Sequence, residues 1–232
     1  MTSIVCVHGA FRGGWSFGRV RNELRARGHD VWTPSLTGMG DRAHLRPPDL
    51  SLDTWATDVA ALIETQDLHD VLLVGHSMGG LVITAASHRC AGRLAGLVYL
   101  DAAEPRVSER GVDLLPGPPP SELPPRATWL EAAPLDASSG LDAATLAWAN
   151  ERLGPTPFAP SLDPLVASDP RAADLLRSRL FCDRTPDWYP APFMRQRCVE
   201  AGQAYERLDA PHDAILSHPD AVAAFIDSVA HP

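Results

Sequence analysis

The stretch Val71-Leu72-Leu73-Val74-Gly75-His76-Ser77-Met78-Gly79-Gly80-Leu81-Val82 constrains this chain more than any other. Val71 to Val74 is a continuous apolar run, the pattern of a strand buried on both faces. Gly75-His76-Ser77-Met78-Gly79 follows, and then Leu81, Val82, Ile83, Ala85 and Ala86 supply the apolar residues of a buried helix. A strand, a Gly-x-Ser-x-Gly turn and a helix in this order form a nucleophile elbow. Such an elbow strains the backbone of its central residue and lifts that side chain above the sheet edge. Gly75 and Gly79 lack a Cβ, so strand and helix can close on each other around Ser77. Ser77 also falls at the helix N-terminus, where partial positive charge favours an anion.

The flanking sequence repeats the alternation of strand and helix. Ser3 to Val7 reads as a buried strand, followed by the glycine-rich loop His8-Gly9-Ala10-Phe11-Arg12-Gly13-Gly14. That loop lacks a Gly-Lys-Ser/Thr ending, which excludes a phosphate loop. Trp15 to Arg27 predicts an amphipathic helix stopped at Gly28, and Asp30 to Pro34 a second strand. Leu36 to Arg42 is a loop at the same sheet edge, Leu52 to Thr65 a helix, and Leu94 to Asp101 the strand after the elbow helix. Residues 105–177 break the rhythm and hold 13 of the 22 prolines. Trp129, Leu130, Leu146, Trp148, Phe158 and Leu165 make this segment too apolar for a disordered linker. It is expected to be an ordered cap over the catalytic edge, with helices at Asp142 to Arg152 and Arg171 to Arg177. The alternation resumes with a strand at Arg179 to Cys182, a helix at Ala191 to Val199, a strand at Ala204 to Leu208 and a closing helix at Pro219 to Ala230. The expected architecture is an α/β fold: a mainly parallel sheet of about six strands, helices on both faces and right-handed crossovers. Residues 1–104 and 178–232 would form the core, and ligands would bind beyond the carboxyl ends of its strands.

Composition narrows the function classes. The net charge of −9 offers no basic footprint for nucleic acid or an anionic membrane. All 20 basic residues are arginine, which rules out lysine Schiff-base chemistry. Cys6, Cys90, Cys182 and Cys198 are far apart and form no C-x-x-C pair, so free buried thiols are expected, and neither a metal nor a cofactor motif is present. No apolar run reaches the ~18 residues of a membrane span. With a strand beginning by Ser3 there is no room for a signal peptide, and a cytoplasmic protein is expected; a homodimer is compatible with the sequence.

A serine hydroxyl near neutral pH needs a base, and the base needs an orienting group. Among nine histidines, His212 is the favoured base, because it lies in the loop between the last strand and the last helix. His8 ends the first strand, where backbone donors are the more natural contribution, and His76 sits inside the elbow pointing away from Ser77. His29, His44, His69, His88, His218 and His231 fit loops or helix surfaces. The backbone N–H groups of Met78 and Ala10 are the expected oxyanion donors. Asp101, at the end of the next strand, is the favoured acid; Asp183 and Asp187, after the Arg179–Cys182 strand, are the alternatives. Phe11, Met78, Trp129, Trp148 and Trp188 are the expected lining of an apolar pocket.

On these residues the chain resembles an α/β-hydrolase. It is most similar to the branch of plant methyl-salicylate-type esterases, hydroxynitrile lyases and bacterial carboxylesterases, pyrethroid-cleaving ones among them. The resemblance rests on Val7-His8-Gly9-Ala10, Gly13-Gly14-Trp15, Leu36 to Arg42, Gly75 to Gly80, Leu97 to Ala102, Arg152 to Pro157 and His212-Asp213-Ala214. It implies Ser77 as nucleophile, His212 as base, Ala10 and Met78 as oxyanion donors, no cofactor, and a hydrophobic small-molecule ester as substrate. In the plant members the acid follows the strand matching Arg179–Cys182, at the place Thr185 takes here. Haloalkane dehalogenases place theirs at the Asp101 position. The resemblance thus implies an acid moved to Asp101. It leaves open a lyase, a thioesterase or acyltransferase, and a ligand receptor that retains the triad. The hydroxynitrile lyases tend to carry a cap lysine, which this chain lacks.

Overall fold

The structure, a computed structural model, describes residues 1–116 and 122–231. Part of the expected cap, residues 117–121, lies outside the described residues. Among the described residues, eight strands and seven α-helices follow in chain order: β1 (Ser3–Val7), α1 (Gly18–Ala26), β2 (Asp30–Trp32), α2 (Leu52–Thr65), β3 (Val71–His76), α3 (Gly79–Cys90), β4 (Leu94–Leu100), β5 (Trp129–Leu130), α4 (Ala143–Asn150), β6 (Thr156–Pro157), β7 (Leu176–Cys182), α5 (Pro190–Glu200), β8 (Glu206–Leu208), α6 (Ala214–Ser217) and α7 (Pro219–Ala230). Six of the strands form one sheet in the order β2-β1-β3-β4-β7-β8, and every pairing in it is parallel.

The unbroken apolar strands are explained by burial on both faces. Val5, Val7, Leu73, Leu97 and Tyr99 point to the side covered by α2 and α3, against Trp55, Val59, Ile63, Leu81 and Ile83. Their strand neighbours Ile4, Cys6, Leu72, Val74, Val98 and Leu100 point to the other side, covered by α1, α6 and α7 through Val20, Leu24, Leu216, Phe225 and Ile226. Each such fully buried aliphatic side chain contributes about 1.5–3 kcal/mol over an exposed one. Ser51 caps α2: its hydroxyl accepts the Thr54 N–H while the Thr54 hydroxyl accepts the Ser51 N–H. Gly28 takes a left-handed φ of 88° just after α1, the stop expected there.

Three elements differ from the sequence expectation. α1 starts at Gly18, because Gly14–Phe17 first makes a 3₁₀ turn. β2 ends at Trp32, two residues before Pro34. Residues 171–177 are not a helix: Pro170–Ala173 is a single 3₁₀ turn, and β7 already begins at Leu176, paired with Gly96 of β4. Backbone pairing to a central strand outweighs the local helical pattern there. Within residues 122–177, Asp142 caps α4 by accepting the Thr145 N–H, and β5 and β6 form a two-residue antiparallel ladder. This segment is tied to the β1 loop. The Phe11 N–H donates to the Thr156 hydroxyl at 2.5 Å, and the Gly154 N–H donates to the Phe11 carbonyl at 3.0 Å. No described helix is long and apolar enough to cross a membrane.

Candidate active site

Ser77 follows β3 directly and has a left-handed backbone, φ 56°. For a residue with a Cβ this conformation stores about 1–3 kcal/mol of strain and persists only when surroundings over-determine it. They do so here. The Ser77 N–H donates to the Leu100 carbonyl at 3.2 Å, and its carbonyl accepts from the N–H groups of Gly80 (3.1 Å) and Ala103 (3.0 Å). A Cβ on Gly79 would fall 2.4 Å from the Val7 carbonyl oxygen, and one on Gly80 2.1 Å from that of Ala103. The elbow glycines are thus required by close backbone approach.

Asp101 follows β4, the neighbouring strand, and also adopts a positive φ, 47°. Its N–H extends the ladder to the Leu180 carbonyl at 2.7 Å. The carboxylate is buried. Oδ1 accepts the Cys182 N–H at 2.9 Å; Oδ2 accepts the Thr185 hydroxyl at 2.5 Å and His212 Nδ1 at 2.5 Å. With Nδ1–H donating to Asp101, His212 Nε2 carries the lone pair. Nε2 is shielded from solvent and has no hydrogen-bond partner among the described residues, so the link to the Ser77 hydroxyl is not closed in this state. Catalytic hydrogen bonds are often long without substrate and tighten when it binds. Neither alternative acid is hydrogen-bonded to His212. Asp183 pairs with Arg207 at 2.7 Å and Arg195 at 3.7 Å, and Asp187 is exposed with no hydrogen-bond partner among the described residues.

Three residues that sequence reasoning missed hold His212 in place. His76 reaches back from the elbow, and its Nε2–H donates to the His212 carbonyl at 2.9 Å. Burial, reinforced by the nearby His212, pushes the His76 pKa down to about 3, so it is a neutral donor. Arg12 donates through Nη2 to both carboxylate oxygens of Asp213, at 2.5 and 2.7 Å, and through Nη1 to the Ala10 carbonyl at 2.9 Å. Burial opposes the charge on Asp213, but the Arg12 guanidinium outweighs it and holds the carboxyl below its ordinary value. The Tyr189 ring packs against that of His212, with centroids 4.0 Å apart. The pattern His212-Asp213 was visible in the sequence; a partner 201 positions away was not.

The N–H groups of Ala10 and Met78 find no acceptor among the described residues. Gly9 brings the Ala10 loop against the elbow: a Cβ there would lie 2.8 Å from Ser77 Cβ. His8 is buried and orders this loop, donating from Nδ1 to the Gly9 carbonyl and accepting the Leu36 N–H at Nε2. Its pKa is lowered to about 4, chiefly by burial.

A cavity of about 230 Å³ opens on Ser77, lined by Ala10, Phe11, Met78, Leu130, Phe158 and Tyr189 among others. A second, of about 240 Å³, lies on the His212 side with Arg12, Asp136, Arg184 and Asp213 in its wall. Phe11, Trp188 and Tyr189 line both. Of the expected pocket residues, Phe11, Met78 and Trp188 line the Ser77 cavity, but Trp129 and Trp148 do not. Alternation along β5 turns Leu130 into the cavity and Trp129 away from it, beside Gly38 and under the Arg46 guanidinium. Trp148 on α4 packs edge-on against Trp15 instead. A larger cavity of about 400 Å³ is lined by Glu104, Arg177, Arg179 and Arg197, away from these groups. Its charges are largely paired, with Arg179 on Glu104 and Arg197 on Glu109.

Known esterases and hydrolases are similar to this chain over nearly its whole length. A carbendazim-hydrolyzing esterase of a Nocardioides species is 34% identical over 238 residues, spanning 96% of this chain and 97% of its own. The solved structure of a pyrethroid hydrolase from Sphingobium faniae superposes with a TM-score of 0.74 at 25% identity, covering 100% of this chain and 98% of the other. A methylesterase from Arabidopsis shares the fold, with a TM-score of 0.80 at 20% identity and 99% of each chain covered. The pattern of the Alpha/beta hydrolase family matches residues 4–225, and the chain belongs to that family.

Proposed function

We propose that this enzyme is a serine carboxylesterase that cleaves a hydrophobic small-molecule ester through an acyl-enzyme on Ser77. The observation that carries the reading is the 2.5 Å contact from His212 Nδ1 to Asp101, which leaves Nε2 without a hydrogen-bond partner among the described residues and free to act as a base. The Nocardioides relative, named as an esterase over nearly the whole length, supports the same chemistry.

Ser77 Oγ attacks the ester carbonyl carbon while His212 Nε2 takes its proton. The N–H groups of Ala10 and Met78 receive the oxyanion, each worth about 3 kcal/mol of barrier. His212 then returns the proton to the alcohol oxygen as the C–O bond breaks. Water, deprotonated by His212, attacks the acyl carbon, and His212 returns the proton to Ser77 Oγ as the Oγ–C bond breaks and the acid is released. Asp101 stays ionised and stabilises the imidazolium. The apolar cavity beside the oxyanion donors would take the acyl group, and the more polar cavity beside His212 the leaving alcohol.

The test is hydrolysis of short- and medium-chain p-nitrophenyl esters by wild type, Ser77→Ala, Asp101→Asn and Asp187→Asn. Turnover with a pre-steady-state burst is expected in the wild type and Asp187→Asn, with Ser77→Ala inactive and Asp101→Asn reduced by on the order of 10⁴ in kcat. No burst and no turnover in the wild type overturns the esterase reading. A crippled Asp187→Asn beside an active Asp101→Asn overturns the acid.

A further inference from the structure

His29, Asp227 and His231 form a cluster at the end of the molecule opposite Ser77. His29 immediately precedes β2, whose first residue Asp30 pairs with Ser3 at the start of β1, whereas the Ala10 loop leaves the other end of β1. Asp227 lies on α7, which packs against α1, and His231 follows the last residue of that helix, four positions beyond Asp227. His29 Nε2 lies 2.9 Å and His231 Nδ1 3.0 Å from the same oxygen, Asp227 Oδ1. All three donor atoms lie within 4.8 Å of one another, and the two rings are 5.1 Å apart. This is the one such grouping of histidine, cysteine and carboxylate ligands among the described residues. His29 is buried, contrary to the surface position expected of it, whereas His231 is exposed. The cluster is therefore fixed on one side and open to solvent on the other.

We propose that His29, Asp227 and His231 bind a divalent transition-metal ion of the zinc class. Two imidazoles and one carboxylate select zinc, cobalt or nickel over calcium and magnesium, which take oxygen ligands. Bonds of about 2.0–2.2 Å in a tetrahedron separate ligand atoms by roughly 3.3 Å. The two contacts to Asp227 are already close to that spacing, and the exposed His231 ring can close the third edge by a small rotation. On binding, each ring surrenders the proton it shares with Asp227 and carries it on its other nitrogen. The His231 ring is exposed; at His29 that nitrogen is Nδ1, which has no partner among the described residues. Arg27 Nε stands 3.9 Å from Asp227 Oδ2, which holds the carboxylate with Oδ1 toward the rings but opposes the cation's charge. The site therefore binds more weakly than a closed four-ligand zinc site, with water in the fourth position. It ties the end of α7 to the turn between α1 and β2, so its effect is on stability, remote from Ser77.

Co²⁺ titrated into the full-length protein tests the site by its visible absorption, and Zn²⁺ by the thermal midpoint. The wild type is expected to give a saturable one-to-one Co²⁺ spectrum and a raised midpoint in Zn²⁺. His231→Ala, at an exposed position, and Asp227→Asn, which keeps an oxygen to accept from the buried His29, are expected to weaken Co²⁺ at least about tenfold and to abolish the Zn²⁺ shift. A wild type without a saturable spectrum overturns the site. So does a wild-type spectrum in both variants, which would mean binding at other histidines.

Discussion

A carboxylate that orients a histidine must itself be held, and Asp101 is held by the Cys182 N–H and the Thr185 hydroxyl besides His212. A hydrogen bond to a charged group is worth about 1.5–3 kcal/mol. Thr185→Val keeps the shape and removes the donor, so kcat is expected to fall about tenfold on p-nitrophenyl acetate with KM unchanged, while Thr185→Ser retains wild-type kcat. Equal losses in both variants would mean that packing at this position matters and the hydroxyl does not. Arg12 and Asp213 are a buried pair, with 7% and 4% of their side chains exposed. Arg12→Met strands the carboxylate and should destabilise the protein by about 3–5 kcal/mol in urea unfolding. Adding Asp213→Leu should recover most of that loss, because neither charge then remains to be solvated. The double variant is still expected to be slow, since the link from the Ala10 loop to the His212 loop is gone.

At the scale of the element, the elbow was legible because everything that makes it is local. Apolar strand, glycines, serine and apolar helix follow one another within a dozen residues, and each strand end on the same edge could be counted from there. Gly80 shows how tightly that element is built. A Cβ would lie 2.1 Å from the Ala103 carbonyl oxygen, a backbone atom that cannot turn aside. Gly80→Ala is therefore expected to lower stability by about 3 kcal/mol and to reduce turnover by displacing Ser77, measured by urea unfolding and ester hydrolysis. What was not legible depended on distant pairing. A two-residue strand such as β5 is too short to display which of Trp129 and Leu130 faces inward; that is decided by its register with β6. Residues 171–177 carried a helical pattern that β4 overrode by pairing with Leu176. His76 looked idle because its partner, the His212 carbonyl, arrives from the far end of the chain. Arg12 and Asp213, and equally His29 and Asp227, meet only once the fold has closed.

For the whole molecule, two buried histidines make acid the weak direction. His8 and His76 are both fully enclosed, and burial lowers their pKa values to about 4 and about 3. In the unfolded chain each titrates near 6.5. Between that value and the depressed ones the unfolded state binds protons that the folded state refuses, so stability rises with pH and is lost on acidification. From pH 7.5 to pH 5.0 each histidine should remove on the order of 2 kcal/mol. Asp213 works in the same direction but lower: its depressed pKa contributes stability that is complete above the ordinary carboxylate range and fades as pH falls through the folded value. The loss above pH 5 therefore belongs to the histidines and not to the Arg12 pair. Urea midpoints at pH 7.5, 6.5, 5.5 and 5.0 should fall steadily, and His76→Gln should fall about half as far over the same range. A flat wild-type profile would mean that the two rings accept protons in the folded protein. His76 could then be a cation beside His212, opposing the imidazolium that the proposed mechanism must stabilise, so the stability profile also bears on the chemistry at Ser77.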